Sequence, residues 1–367
     1  MKLRYLILTG GFFGCFAQAK PLYDVTPITQ EMQQIVSAYG LDGASLKLLR
    51  DGSPVYYQHF GTYTTTTRVS IASASKWLSA LALARLVEKG QMSWEDTIGK
   101  YIASAPADKK NIRLRQLFSH TAGMNAGEDD CLSNRFITLE NCTNQILAEP
   151  LVYTPGTTFA YGGNSMQVAG RMAELATGKN WDQLFIDEMV TPLGLQSTDF
   201  AAGSTQAGYV RVNNARIAGG VRSTADDYGI ALAMIQNEGL HQGKRFLNKT
   251  TLDYMATDQA AGLVVGSTPF EESLGYGIGQ WREAVDFNGV ATRISSPGAF
   301  AATPWVDKRN RMAGLFFVKD SGPRLRDEIF DLKDLINVVY SSRRQIPPPQ
   351  KPKPSSVSQG SKNQSHH

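Results

Sequence analysis

The segment Ser73–Glu88, SASKWLSALALARLVE, constrains this chain more than any other. Trp77, Leu78, Ala80, Leu81, Leu83, Leu86 and Val87 leave it almost no polar face, and Gly90 stands just past its end as a stop signal. A helix that is apolar almost all round is stable only when other elements enclose it. With 367 residues, 42 % of them apolar and 19 % charged, the chain can supply such a body as one large domain or two lobes.

The rest of the pattern says which elements enclose it. Gly43–Leu49 and Val55–Phe60 are β-like runs around Arg50-Asp51-Gly52-Ser53, and Asp-Gly between such runs predicts a hairpin. Residues 91–215 hold helical patterns, notably Met166–Ala176 and Trp181–Met189, and Thr224 followed by Asp227 predicts a capping box. β character returns at Tyr276–Trp281, Val290–Ser295 and Met312–Val318, before an amphipathic helix over Leu325–Tyr340. Strands at both ends with helices between predict an α+β fold: an antiparallel sheet with flanking helices and an inserted all-helical lobe.

Both termini differ from this body. Met1-Lys-Leu-Arg-Tyr, the apolar run Leu6–Phe16 and Ala17-Gln18-Ala19 form the pattern of a signal peptide over 1–19, too short and glycine-broken to span a bilayer. Cleavage after Ala19 is expected. Lipidation at Cys15 is the alternative, disfavoured by Phe12 three places before it. From Gln345 the chain is Pro, Lys, Ser and Gln, so 343–367 reads as a disordered tail, dispensable for chemistry and able to touch an anionic envelope surface. Residues 1–19 carry +2 and the tail +5, so the formal charge of +4 leaves the body 20–342 at −3. That excludes a nucleic-acid footprint. Export to the periplasm or the medium leaves two cysteines, Cys131 and Cys142, in an oxidising space, where one disulfide is expected rather than two free core thiols.

The chemistry is sought among the remaining motifs. G-x-S-x-G, H-E-x-x-H and C-x-x-C are all missing from the sequence. His120, in Ser119-His120-Thr121, reads as a loop histidine bonded to neighbouring backbone. Ser73-Ala74-Ser75-Lys76 is the single S-x-x-K, a spacing that puts Ser73 and Lys76 on one face of the buried helix's first turn. Helix-end N–H groups there suit an oxyanion, and a desolvated Lys76 can take the serine proton. The motif alone fits equally an N-cap serine and a lysine reaching for water. Tyr161, followed by Gly162, Gly163 and Asn164, lies in a loop, where a phenol beside an ammonium is expected to ionise more easily and shuttle a proton. A packed ring with a satisfied hydroxyl is the commoner fate of a lone tyrosine. Ser295-Ser296-Pro297-Gly298-Ala299, with Trp305 beyond, ends a β run in small residues. That marks either an ordinary turn or a close approach, with the Ala299 N–H as a second oxyanion donor beside the Ser73 N–H.

Together these motifs resemble the serine β-lactamase/DD-peptidase superfamily, nearest its class C and esterase-like branch. The likeness runs over about residues 30–340. It includes Lys89-Gly90-Gln91-Met92-Ser93-Trp94-Glu95-Asp96, Leu117-Phe118-Ser119-His120-Thr121-Ala122-Gly123, Pro192-Leu193-Gly194-Leu195 and Ala218-Gly219-Gly220-Val221-Arg222-Ser223-Thr224. The resemblance implies an acyl-enzyme on Ser73, general base and acid roles shared by Lys76 and Tyr161, oxyanion N–H groups from Ser73 and Ala299, and neither metal nor organic cofactor. Substrate contacts are expected from Gly163, Asn164, Ser296, Gly298 and Trp305. Two departures stand out. The family's Tyr-x-Asn is here Tyr161-Gly162-Gly163, and its Lys-Thr-Gly or His-Gly is Ser296-Pro297-Gly298. Both remove groups that would hold a β-lactam or peptide, so a small ester or amide is the expected substrate, with esters slightly favoured. A β-lactamase or peptidoglycan peptidase comes second, and a catalytically silent cell-wall-binding protein third. Arg293, three residues before Ser296, is expected on the opposite strand face.

Overall fold

In the computed structural model, which describes residues 23–270 and 275–341, the Asp51-Gly52 turn joins strands β1 (Gly43–Arg50) and β2 (Ser53–Gly61). Both turn residues have positive φ, 51° and 74°, the backbone that a two-residue hairpin needs to match strand twist. The other edge of β1 pairs with the last strand of the sheet, so that Ser45 stands opposite Phe317. Numbered along the chain, the remaining strands are β3 (Trp281–Val285), β4 (Ala291–Ser295), β5 (Thr303–Asp307) and β6 (Met312–Phe317). The sheet is antiparallel in the order β2-β1-β6-β5-β4-β3.

Two sequence expectations shift here. The β run at Tyr276–Trp281 is a turn whose ends bridge, and the strand begins only at Trp281. Strand β5 carries no sequence signal, because all five residues are buried without alternation and Pro304 argues against a central strand. Its register tolerates the proline: the Pro304 carbonyl accepts from the Ser296 N–H at 3.2 Å.

One face of the sheet is covered by helix α1 (Thr26–Ala38) and by the C-terminal helix (Gly322–Ser341), whose Ile28, Met32, Leu325 and Leu332 close over Leu46, Leu48, Trp305 and Phe316. Trp305 is therefore core and not a substrate contact. It is 3 % exposed, and a side chain on the facing Gly314 would come within 2.2 Å of its ring.

The other face carries the helical lobe, built round α2 (Ser75–Glu88) as its apolar sequence requires. Helix α3 (Asn164–Thr177) and helix α4 (Ala225–Gln236) flank it. The Thr224 hydroxyl accepts the Asp227 N–H at 3.2 Å, but the reciprocal half of the expected capping box is missing. The Asp227 carboxylate instead binds the backbone N–H groups of Gln196 and Ser197 and the Thr198 hydroxyl. The helical pattern at Trp181–Met189 is an α-turn to Phe185 followed by a wider π-turn over Ile186–Val190.

Cys131 and Cys142 are joined in a disulfide across a separation of 11 residues. Such a loop contributes about 3 kcal/mol on the chain-entropy account. The expected signal peptide and tail lie outside the described residues, among which no helix is long and apolar enough to cross a membrane.

Candidate active site

The chain reaches Ser73 through a backbone that few residues adopt. Ala72 has φ of 46°, and Ala72–Ala74 form a single 3-10 turn before α2 begins at Ser75. Ser73 is thus one turn earlier than the helix expected to contain it. The turn is held from three sides. The Ser75 hydroxyl donates to the Ala72 carbonyl at 2.6 Å and accepts the Val221 N–H at 3.0 Å. The Tyr228 hydroxyl donates to the Ala74 carbonyl at 2.9 Å. The Ser296 hydroxyl donates to the Ser73 carbonyl at 3.2 Å.

Lys76 is 2 % exposed, and its Nζ lies 2.9 Å from the Ser73 Oγ and 3.0 Å from the Ala218 carbonyl. Burial lowers its pKa to about 7, with the Glu128 carboxylate acting against that fall and the Arg216 guanidinium adding to it. Glu128 and Arg216 pair with each other at the lip of the site.

Tyr161 follows the short strand Thr158–Ala160, and its ring stacks on Trp281 with centroids 5.1 Å apart. The Lys76 Nζ is 4.7 Å from the centre of the same ring. Burial raises the phenol above its ordinary value, and the Ser73 and Trp281 side chains only partly offset it. This reverses the expectation of easier ionisation: the enclosed phenol stays protonated, and Lys76 is the group whose neutral form exists near pH 7. His120 is buried beneath Tyr161 with φ of 60°, and its Nδ1 accepts the Gly162 N–H at 3.4 Å, so it is the loop histidine the sequence suggested.

On the opposite wall, Gly298 passes so close to the serine turn that a Cβ there would meet the Ile71 carbonyl oxygen at 2.1 Å. Ala299 follows, exposed, and lines one cavity with Ser73 and Tyr161.

Three other expected contacts are not in that cavity. The Asn164 side chain is 1 % exposed and turned to Asp129, donating to its carboxylate at 2.8 Å. Gly163 is buried against the Leu132 and Glu128 side chains. Ser296 is 2 % exposed and spends its hydroxyl on the Ser73 backbone. Arg293 does lie on the other strand face from Ser296, but the cavity opens on that face, so Arg293 lines it. Trp281 went unrecognised because it sits at the end of a run read only as strand.

Residues 28–337 match the family model described as Beta-lactamase. The chain belongs to the Beta-lactamase family. Members of the Beta-lactamase family are serine hydrolases, and the chain has their fold. A solved structure of a putative beta-lactamase from Bacteroides dorei DSM 17855 is 32 % identical, with a TM-score of 0.75 over 85 % of this chain and 99 % of that one. The structure of EstCE1, a hydrolase with promiscuous acyltransferase activity, shares the fold at 19 % identity and a TM-score of 0.66, covering 84 % of this chain and 98 % of that one. Among curated relatives, Protein flp of Staphylococcus aureus strain MW2 is 23 % identical over 174 residues, which are 44 % of this chain and 35 % of that protein. Penicillin-binding protein 4 of Amycolatopsis lactamdurans is 29 % identical over 175 residues, 42 % of this chain and 44 % of that protein. The match to these curated relatives thus spans less than half of their length.

Proposed function

We propose that this protein is an exported serine hydrolase that forms an acyl-enzyme on Ser73 and prefers esters to β-lactams. The observation that carries the reading is the 2.9 Å contact between the Ser73 Oγ and a Lys76 Nζ whose burial brings it to about 7. Neutral Lys76 takes the Ser73 proton as the Oγ attacks the substrate carbonyl. The oxyanion is received by the N–H groups of Ser73 and Ala299. The proton then passes by way of Lys76 and the Tyr161 hydroxyl to the leaving alcohol or amine, and water hydrolyses the acyl-enzyme. Export is supported by the leader pattern at 1–19 and by the Cys131–Cys142 disulfide, which suits an oxidising compartment.

The preference for esters rests on what meets a substrate carboxylate beside the scissile bond. Where the family pattern offers Lys-Thr-Gly or His-Gly, this chain has Ser296, and its hydroxyl is already engaged with the Ser73 carbonyl. Loss of a charge-assisted hydrogen bond costs about 1.5–3 kcal/mol, which predicts a roughly tenfold to hundredfold deficit on such substrates. Short-chain 4-nitrophenyl esters should be hydrolysed measurably, and a chromogenic cephalosporin weakly or not at all. Cephalosporin turnover at the efficiency of a dedicated β-lactamase, with esters poor, would replace this reading by a β-lactamase or a peptidase acting on peptidoglycan-derived substrates.

The same site predicts a pH profile. As pH falls through about 7, Lys76 takes up a proton and can no longer accept one from Ser73. Ester kcat/KM should therefore drop about tenfold per pH unit on the acid side. Because burial moves the Tyr161 phenol upward, no alkaline limb should come from it below pH ~10. A flat profile between pH 5 and 8 would remove Lys76 as the base.

A further inference from the structure

The cavity beside Ser73 is larger than bond cleavage requires. It measures about 380 Å³ and runs between strands β3 and β4 and the C-terminal helix, with Pro269, Phe270, Ile329 and Phe330 as apolar wall. Four charged side chains from three elements line it as well: Glu283 on β3, Arg293 on β4, and Arg326 and Lys333 on the helix. The Lys333 Nζ is 2.8 Å from one Glu283 oxygen, and the Arg293 Nε is 3.1 Å from the other.

One carboxylate therefore faces two cations. Burial alone would raise the Glu283 carboxyl, but Lys333 and its neighbours outweigh it and hold the group below its usual range, so it is ionised. The next acid, Asp334, is 4.0 Å from Arg293 and 77 % exposed, so water screens it. Among the described residues, the cluster sets two cations against one buried carboxylate. It also keeps spare donors: the Lys333 ammonium has three N–H groups and Glu283 as its hydrogen-bond partner, and the Arg293 Nε lies near Glu283 without an aligned hydrogen bond. Arg326, whose guanidinium lies 4.6 Å from the centre of the Phe270 ring, adds a further cation to the cavity wall. Enclosed charge of one sign is costly unless an opposite charge meets it, and an entering anion gains charge-assisted hydrogen bonds.

We propose that this cavity is a subsite for one arm of the substrate, an apolar chain or ring ended by a carboxylate that Arg293 and Lys333 bind. The proposal rests on the hydrolase reading above for the position of the scissile bond. Arg293 stands three residues before Ser296, whose hydroxyl touches the serine turn, so at ~3.3 Å per strand residue the cluster is roughly 10 Å along the strand. A carboxylate directly beside the scissile bond, as in a β-lactam, does not reach it. One separated by several carbons does.

The test uses 4-nitrophenyl hemiesters of the straight-chain diacids from succinic to suberic, each beside the neutral 4-nitrophenyl ester of equal length. Acetate esters of ω-hydroxy acids probe the leaving-group arm. In one series, at one spacer length, kcat/KM for the anionic ester should exceed that of its neutral partner at least tenfold. Arg293→Gln and Lys333→Met should each bring that ratio down toward one, and Glu283→Gln should raise it. A ratio taken within each variant cancels any general loss of folded enzyme. Ratios near one at every length in both series, with neutral esters still hydrolysed through Ser73, would overturn the subsite and leave the hydrolase reading standing. If no ester is hydrolysed, calorimetric binding of the monomethyl diacid esters decides the subsite alone. Binding that Arg293→Gln weakens would keep the subsite and sink the ester reading; no binding would sink both.

Discussion

Ser73→Ala should abolish ester turnover, with a fall of about three orders of magnitude or more, while the protein unfolds within a few degrees of the wild-type temperature. Both halves of the expectation follow from where the hydroxyl sits. The Ser73 Oγ is contacted by the Lys76 Nζ, and Ser73 lines the cavity, so its removal deletes the proposed nucleophile and little packing. Ser75 is the informative contrast. It is fully buried, and its hydroxyl ties the Ala72 carbonyl to the Val221 N–H. Ser75→Ala leaves a buried N–H without its acceptor, a cost of about 1–3 kcal/mol in stability, and should affect chemistry only through that loosening. Kinetics and thermal unfolding of the two variants side by side separate the roles. Wild-type turnover by a folded Ser73→Ala protein would end the assignment.

Gly298→Ala should lower kcat by about a hundredfold, because the added methyl is aimed at the serine turn. The added methyl would lie 2.1 Å from the Ile71 carbonyl oxygen, a backbone atom that has no rotamer to escape into. Either the end of β4 or the serine turn must retreat. In both cases the Ala299 N–H, the next residue along, moves away from Ser73. Misplacement of this order costs about 10²-fold in rate, and overpacking a tight contact costs about 1–3 kcal/mol in stability. Steady-state kinetics with a neutral ester and a thermal melt check both numbers. A Gly298→Ala protein with wild-type kcat would show that the strand end can shift without disturbing the oxyanion donors.

β1, β2, β4 and β6 were legible as β-like runs, whereas β3 was placed too early, over Tyr276–Trp281, which is a turn. Asp51-Gly52 announced its hairpin, and the all-apolar α2 announced its burial. β5 stayed hidden because a central strand buried on both faces has no period to detect. Ser73, Lys76 and Tyr161 were legible as motifs, since the first two share one turn and the third stands in a glycine loop. Ser296, Asn164 and Trp305 were misplaced because spacing along the chain does not say which way a side chain turns. Ser296 turns to the serine backbone, Asn164 to Asp129, and Trp305 to the far side of the sheet. The Glu283–Arg293–Lys333 cluster could not be read at all, because its members lie on three elements separated by up to 50 residues.

The pairing of β1 with β6 sets the order in which this protein can become active. Ser45 must find Phe317, and the serine turn must find Ser296, across more than two hundred residues of intervening chain. Contacts of such long sequence separation require most loop-closure entropy to be lost before they stabilise anything, so they form late and slowly. The β1–β2 hairpin is local and can form while synthesis continues, and the Cys131–Cys142 bridge closes only a short loop. The cleft cannot: until Ser296–Ala299 arrive, the serine turn has no opposite wall. A partly made chain therefore lacks the assembled cleft, and the export proposed above would be helped by a sheet that only its last strands can close.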